Sequence, residues 1–494
     1  MWGFGLIKLA LPDRPVRLNR PLLVSGLLIG LFLAWPLLLL GRPSYLGDSA
    51  AYYKGGRAAV GFVTEKFAPS ADHRAVPRSP GSPAQSDGVT AAAQARGVRS
   101  ISYSVLVYLL GAPQAKLVLL AIAQALLTGL VSAIVLDFFT PASRQRQFVT
   151  AAVLAFATPV AFVACLALPD IFTGLMVVAI VLLAIGHERL SLATKLLLAT
   201  VGIFSVSAHS SHPPLAAGLM LIITLWLLSG RLRGEGSALR AWSWAAAPLL
   251  LGVALTVTAN RVGFGEASIA AKRFPLTLAR SVADGPGRWY LEKHCAIEHY
   301  AICEVYPNGF PNSVTTFLWG EAGIETRATP EQLDRIRAEE IPIVAAATRE
   351  YLGTEMLHLS TSFFRQLVNI RPDATFAQRI ALDHGGVPKL VNAPGMTPWL
   401  GFVVEVTSLF ASGLGLLWMG KRFGSFSSSQ RAAILLTIAA LMINAAICVY
   451  FSGVANRYEA RVIWLVPLLA LALGMGRTGG EGASTATKTE PGCD

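Results

Sequence analysis

The residues of this chain best suited to chemistry stand at the ends of its apolar runs. "YLGDSAAYYKGGRA" (45–58) follows one such run and carries Asp48, Tyr52, Lys54 and Arg57. "LALPDIF" places Asp170 between two others. "SAHSSHPPL" places His209 and His212, and "FSGVANRYEARVIW" places Arg457, Tyr458, Glu459 and Arg461, each group next to a further run. A carboxylate such as Asp48 can take the proton of a hydroxyl within hydrogen-bond reach. Guanidiniums such as Arg457 and Arg461, four apart on one helix face, suit a phosphate. His209 and His212, three apart, suit a shared metal, although two ligands do not complete a site. Each residue also has a plainer reading. Asp48 and Asp170 suit helix N-caps, the histidines suit a solvated hairpin turn, and the arginines suit lipid headgroups.

The apolar runs must position these groups. The 494 residues are 53% hydrophobic and only 14% charged, against roughly 25% charged in a soluble domain. This is the composition of an all-α polytopic membrane protein. About ten transmembrane helices are expected, near 21–40, 117–139, 148–168, 171–186, 193–208, 214–229, 242–259, 398–419, 432–451 and 460–476. The first run is long enough to span, and no A-x-A cleavage site follows it, so it is expected to remain as an anchor. Lys8, Arg14, Arg17 and Arg20 precede it, which places the N-terminus (1–20) in the cytoplasm. The loops "SRQRQ" (143–147), "HERLSLATK" (187–195), "GRLRGEGSALR" (230–240) and "GKRFGSFSSSQR" (420–431) then fall inside, and all are short and basic. So does the 477–494 tail, whose Gly, Ser, Thr and Glu content predicts disorder. The net charge of +12 is explained by these retained loops. No zinc finger, RNA-binding aromatic motif or phosphate loop accompanies it, so nucleic acid is not an expected partner.

The same orientation sends Asp48, Asp170, the His pair and the Arg457 segment to one outer face. Several of the adjoining runs are shorter than the ~20 residues a span requires. Their polar ends are therefore expected at or below the interface, where ionisable groups are costly, usually paired and often functional.

Two long connections also fall outside. The first outer loop is 41–116, within a 21–259 block of seven helices, and its Pro-, Ser- and Gly-rich middle is expected to be mobile. Residues 260–397 form a small, mostly helical extracytoplasmic domain, followed by three helices in 398–476. That domain holds Cys295 and Cys303, for which an oxidising compartment predicts a disulfide. Eight residues of straight helix would hold the two ~12 Å apart, so a bridge requires a turn between them. The alternatives are unpaired thiols, or a continuous helix that lines up Cys295, His299 and Cys303 as metal ligands. Val344, Ala347, Tyr351, Met356, Leu359, Phe363 and Leu367 mark amphipathic helices, for the domain core or the membrane surface.

Taken together, "GDSAAYY" after the first span, "RSISYSVLVYLLG" (99–111), "LPDIFTGLMVVAIVLLA" (168–184) and "NRYEARVIWLVPLLALA" (456–472) resemble the GT-C superfamily of integral-membrane glycosyltransferases. The matches cover about a fifth of the chain. The resemblance implies a bacterial inner-membrane enzyme that moves a sugar from a polyprenyl-phosphate donor to an envelope glycan or lipid acceptor. It implies Asp48 as general base, and Arg457 with Arg461 or Lys54 and Arg57 on the phosphate. Asp170, His209 and His212 would shape the acceptor side or assist a divalent metal. Many GT-C members carry two adjacent acids in the first loop, whereas Ser49 follows Asp48 here, a departure from the acid pair that would hold a metal. The large domain is also inserted rather than C-terminal. A transporter, or a non-catalytic component of envelope assembly, are the competing expectations.

Overall fold

A computed structural model of the protein describes residues 14–67, 99–111, 116–140, 143–228, 238–372, 378–382, 388–393 and 397–474. The expected mobile stretch of the first loop, most of the 230–240 loop, and the 477–494 tail lie outside the described residues.

The helices are α1 (Arg20–Leu33), α2 (Trp35–Leu40), α3 (Gly47–Phe67), α4 (Ile101–Gly111), α5 (Val118–Phe139), α6 (Arg144–Phe156), α7 (Val160–Ala164), α8 (Ile171–Gly186), α9 (Leu192–Ala208), α10 (His212–Leu228) and α11 (Ala238–Phe264). An inserted domain follows with α12 (Leu276–Asp284), α13 (Pro286–Glu298), α14 (Ala301–Val305), α15 (Val314–Leu318), α16 (Ile324–Arg327), α17 (Pro330–Glu350) and α18 (Leu352–Val368). A two-stranded antiparallel hairpin, β1 (Gln378–Leu382) and β2 (Pro388–Asn392), pairs Gln378 with Asn392. The chain closes with α19 (Pro398–Lys421), α20 (Ser428–Phe451), α21 (Asn456–Ile463) and α22 (Leu465–Gly474).

This is a helical protein of membrane type. Among the described residues five helices are long and apolar enough to cross a bilayer: Arg20–Leu40, Val118–Phe139, Ala238–Phe264, Pro398–Lys421 and Ser428–Phe451. The other five expected spans differ from whole crossings. Three are helices of 16 or 17 residues, α8 to α10. α8 is apolar on every side because it is enclosed by protein; Ile171 through Ala184 are all buried. The 148–168 run is two helices, with Pro159 opening the second. The 460–476 run breaks at Trp464. There Pro467 cannot donate to the Ile463 carbonyl, and its ring crowds that turn.

Helices α1 and α5 meet through small residues. A Cβ at Gly129 would lie 2.3 Å from the Gly26 oxygen and 2.4 Å from the Gly30 nitrogen. Backbones this close are the small-xxx-small contact by which helices pack without a hydrophobic drive from lipid.

The bundle has two distinct ends. At one, Val16 pairs with Leu190, Arg14 pairs with Asp137, and the Thr140 hydroxyl donates to Ala472 O. Gly474 at this end lies against Trp418. At the other end Ser44 pairs with Leu166.

The inserted domain has its own core, which includes Phe274, Leu278, Leu291, Ile302, Phe317, Leu333 and Ile343. The helix before it runs to Phe264, so the boundary expected at 260 falls inside α11. Cys295 and Cys303 are bridged, with Cα atoms 5.8 Å apart. The required turn is present: α13 stops at Glu298, His299 is left-handed at φ 50°, and α14 starts at Ala301. That excludes the straight helix on which Cys295, His299 and Cys303 would face one metal. The amphipathic run divides at Tyr351. Val344 and Ala347 enter the core, whereas Met356 is exposed.

Candidate functional site

The first turn of α3 is closed by Ser49, whose hydroxyl accepts the Leu46 N–H at 3.1 Å. Asp48 is the second residue of α3 rather than its N-cap, and its carboxylate is directed elsewhere. One oxygen accepts a 2.5 Å hydrogen bond from Arg99. The other lies 3.7 Å from Arg457. Arg99 reaches Asp48 because α3 and α4 press together at Gly56, where a Cβ would stand 2.0 Å from Ser104 O. Tyr52 is buried edge-on against Tyr103 at 4.9 Å, and Tyr103 donates to Gln124 at 2.8 Å.

The second acid is placed by the segment joining α7 to α8. The Gln124 amide donates to Ala164 O and Leu166 O, at 2.8 and 2.9 Å. Ser44 N–H donates to Cys165 O, and Ala167 N–H returns a bond to Ser44 O. Asp170 stands at the N-cap of α8 but makes no capping bond. Its oxygens lie 3.6 Å from Arg457 and 3.8 Å from Arg461.

Arg461 is 1% exposed. It donates to Asn444 Oδ1 at 2.8 Å, Ser211 Oγ at 3.2 Å and Cys448 Sγ at 3.1 Å. Asn444 in turn donates to Glu459 and to Tyr458 O. The Tyr458 ring lies 5.3 Å from both guanidinium carbons, and its hydroxyl bonds with Ser452. The α21–α22 break is seated on Gly174, against which Trp464 packs while its indole N–H donates to Arg461 O.

The arrangement has an open rim and a closed floor. Side-chain exposure is 30% for Asp48, 21% for Arg99 and 22% for Arg457, against 4% for Asp170 and 1% for Arg461. Arg457 stands more than 3.5 Å from either acid, beyond ordinary hydrogen-bond length. Burial would raise the Asp48 carboxyl, but the Arg99 and Arg457 guanidiniums outweigh it and hold the group below its usual range. Three guanidiniums face Asp48 and Asp170, and a third acid, Glu459, is buried behind Asn444; the partly open Arg99 and Arg457 are the groups placed to meet an added anion. The cluster does not suit a divalent metal, because Asp48 and Asp170 already face guanidiniums.

Several expected members are placed differently. Arg461 is a buried support rather than an open phosphate ligand. Lys54 and Arg57 are exposed on α3, and nine residues at 100° each turn Arg57 to the face opposite Asp48. His212 is fully buried: its Nδ1 donates to Ser205 O at 2.5 Å, so its Nε2 accepts from the Thr173 hydroxyl at 2.8 Å. Neither nitrogen has a lone pair left for a metal. His209 Nδ1 accepts from Ser211 N–H, and burial with the nearby His212 and Arg461 pushes its imidazole well below the usual range. Among the described residues no three His, Cys, Asp or Glu side chains gather as a metal site. Arg99 is the member that sequence reasoning passed over. It opens the quoted "RSISYSVLVYLLG" stretch, and its position before an apolar helix was the available signal. Its guanidinium also lies 5.7 Å from the Trp319 ring of the inserted domain.

No protein-family model, no curated protein and no solved structure matches the chain.

Proposed function

We propose that the chain is a GT-C-type glycosyltransferase of the bacterial inner membrane, which takes a sugar from a polyprenyl-phosphate carrier to an envelope glycan or lipid. The observation that supports this reading is the partly open Asp48 held between Arg99 and Arg457. In the reaction an acceptor hydroxyl oxygen bonds to the anomeric carbon as the bond from that carbon to the lipid phosphate breaks. Asp48 takes the hydroxyl proton. The negative charge left on the lipid phosphate falls to Arg457 and Arg99. A phosphate arriving between these guanidiniums also competes with Asp48 for them, which raises the proton affinity of the carboxylate when it is needed. Asp170 holds Arg457 from below, and Arg461 in turn holds Asp170.

The orientation rests on charge. Arg14, Arg17, Arg144, Arg146, Arg189, Lys421 and Arg422 collect toward the Val16–Leu190 end, which reads as cytoplasmic. Both termini then lie inside. The Asp48 end, with the inserted domain against it at Trp319, faces outward.

The test uses membranes containing the chain and a polyprenyl-phosphate-linked radiolabelled sugar. The wild type labels an envelope acceptor, and Asp48→Asn abolishes labelling while the protein still inserts and folds. Full labelling by the variant removes Asp48 as base. Sugar crossing the membrane with no bond formed would make the chain a transporter.

A further inference from the structure

Helix α18 is built inside out for an amphipathic helix. The residues it buries are polar, Glu355 and Gln366, while Leu352, Met356, Leu357, Phe364 and Val368 are exposed. Eleven residues separate the two polar groups, three turns along one face. Glu355 is anchored in the inserted domain by Arg280 at 2.6 Å, and both partners are 1% exposed. Gln366 is fully buried and clamps the backbone of Ala455. Its Oε1 accepts the Ala455 N–H at 2.8 Å, and its Nε2 donates to Ala455 O at 3.0 Å.

Ala455 is the N-cap of α21 and has no side chain with which to cap it. The Gln366 amide occupies both polar groups of that residue from outside the helix, two positions before Arg457. We propose that α18 is a strut through which the inserted domain sets Arg457, with Gln366 as a positioning residue for anion binding at the Arg99–Arg457 rim. The proposal rests on the reading of that rim as a lipid-phosphate site. The domain meets the rim at its other guanidinium as well, through Trp319 beside Arg99, and Trp319 is steadied edge-on by Phe274 at 4.8 Å.

The experiment titrates the full-length protein in detergent, by calorimetry, with farnesyl phosphate and with farnesol. Gln366→Met keeps the length and loses the amide. It is expected to raise the farnesyl phosphate Kd by about tenfold, the value of one to two lost hydrogen bonds. Farnesol, which lacks the anion, is expected to bind as to wild type; a general loss of structure would weaken both ligands. Gln366→Asn keeps an uncharged amide but is one methylene shorter, and should fall between. If Gln366→Met does not fold, Gln366→Asn decides: a raised phosphate Kd with farnesol unchanged supports the strut, and a wild-type Kd overturns it. An unchanged Kd for Gln366→Met, with Arg457→Ala weakened, also overturns the strut and leaves the phosphate site standing. Unchanged binding in Arg457→Ala removes the phosphate site, and the strut's role with it.

Discussion

Ser44 and Leu166 form a one-residue parallel bridge, and each stands four residues before an acid of the ionic cluster, Asp48 and Asp170. A backbone pairing thus sets the start of two separate turns from one point. The acids arrive beside Arg457 because the chain before each is held, not because either caps its helix.

Ser44→Pro is therefore expected to disable the site. It removes the N–H that donates to Cys165 O, at a cost of about 1–3 kcal/mol. Ser44→Ala is expected to be nearly neutral, because the buried Ser44 hydroxyl has no partner among the described residues. Thermal unfolding in detergent, with sugar transfer measured alongside, separates the two variants.

The Asp48 ion pairs predict a pH dependence. Its folded-state carboxyl lies below the unfolded value of ~4. The unfolded chain therefore binds the proton first as pH falls. The stabilisation is complete above about pH 5 and is lost as pH drops through the lowered folded value. The Tm difference between wild type and Asp48→Asn should narrow from pH 6 toward pH 3. A constant difference would mean that these pairs contribute nothing.

Gly174 tests the seat of the arginine helix. A Cβ there would meet the Trp464 ring at 2.6 Å and Arg461 O at 2.9 Å. Gly174→Ala is expected to cost about 1–3 kcal/mol. It should also change the near-ultraviolet circular dichroism of Trp464 and lower transfer, although residue 174 bears no reactive group.

Arg99 and Lys54 distinguish the rim seen in the structure from the one expected along the chain. Arg99→Ala should lower kcat/KM by at least about tenfold, through loss of a charge-assisted partner for Asp48 and for the phosphate. Lys54→Ala should stay within about twofold, since its exposed side chain stands away from the cluster. The reverse order would place the phosphate on the wrong side of α3.

The Cys295–Cys303 bridge closes a short loop around His299. Cys295→Ser is expected to destabilise the inserted domain by about 2–3 kcal/mol. The measurement is limited proteolysis of the 265–370 region with and without reductant.

Much of this protein was legible along the chain. Hydropathy and basic loops add up residue by residue, so the sequence alone determined a helical membrane protein and which polar ends share a side. It also determined that Cys295 and Cys303 could bridge only across a turn. Tertiary structure decided the rest, because the deciding quantities are helix phase and close approach. The 100° turn per residue carried Lys54 and Arg57 away while Asp48 stayed. Enclosure by neighbouring helices made α8 a core element. A hydrogen bond to Ser205 O and one from the Thr173 hydroxyl took both nitrogens of His212. The approach of α3 and α4 at Gly56 brought in Arg99, and Gln366 reached Ala455 from a distant part of the chain. Composition is blind to such meetings, since a carboxylate's partner depends on which backbones come within ångströms of it.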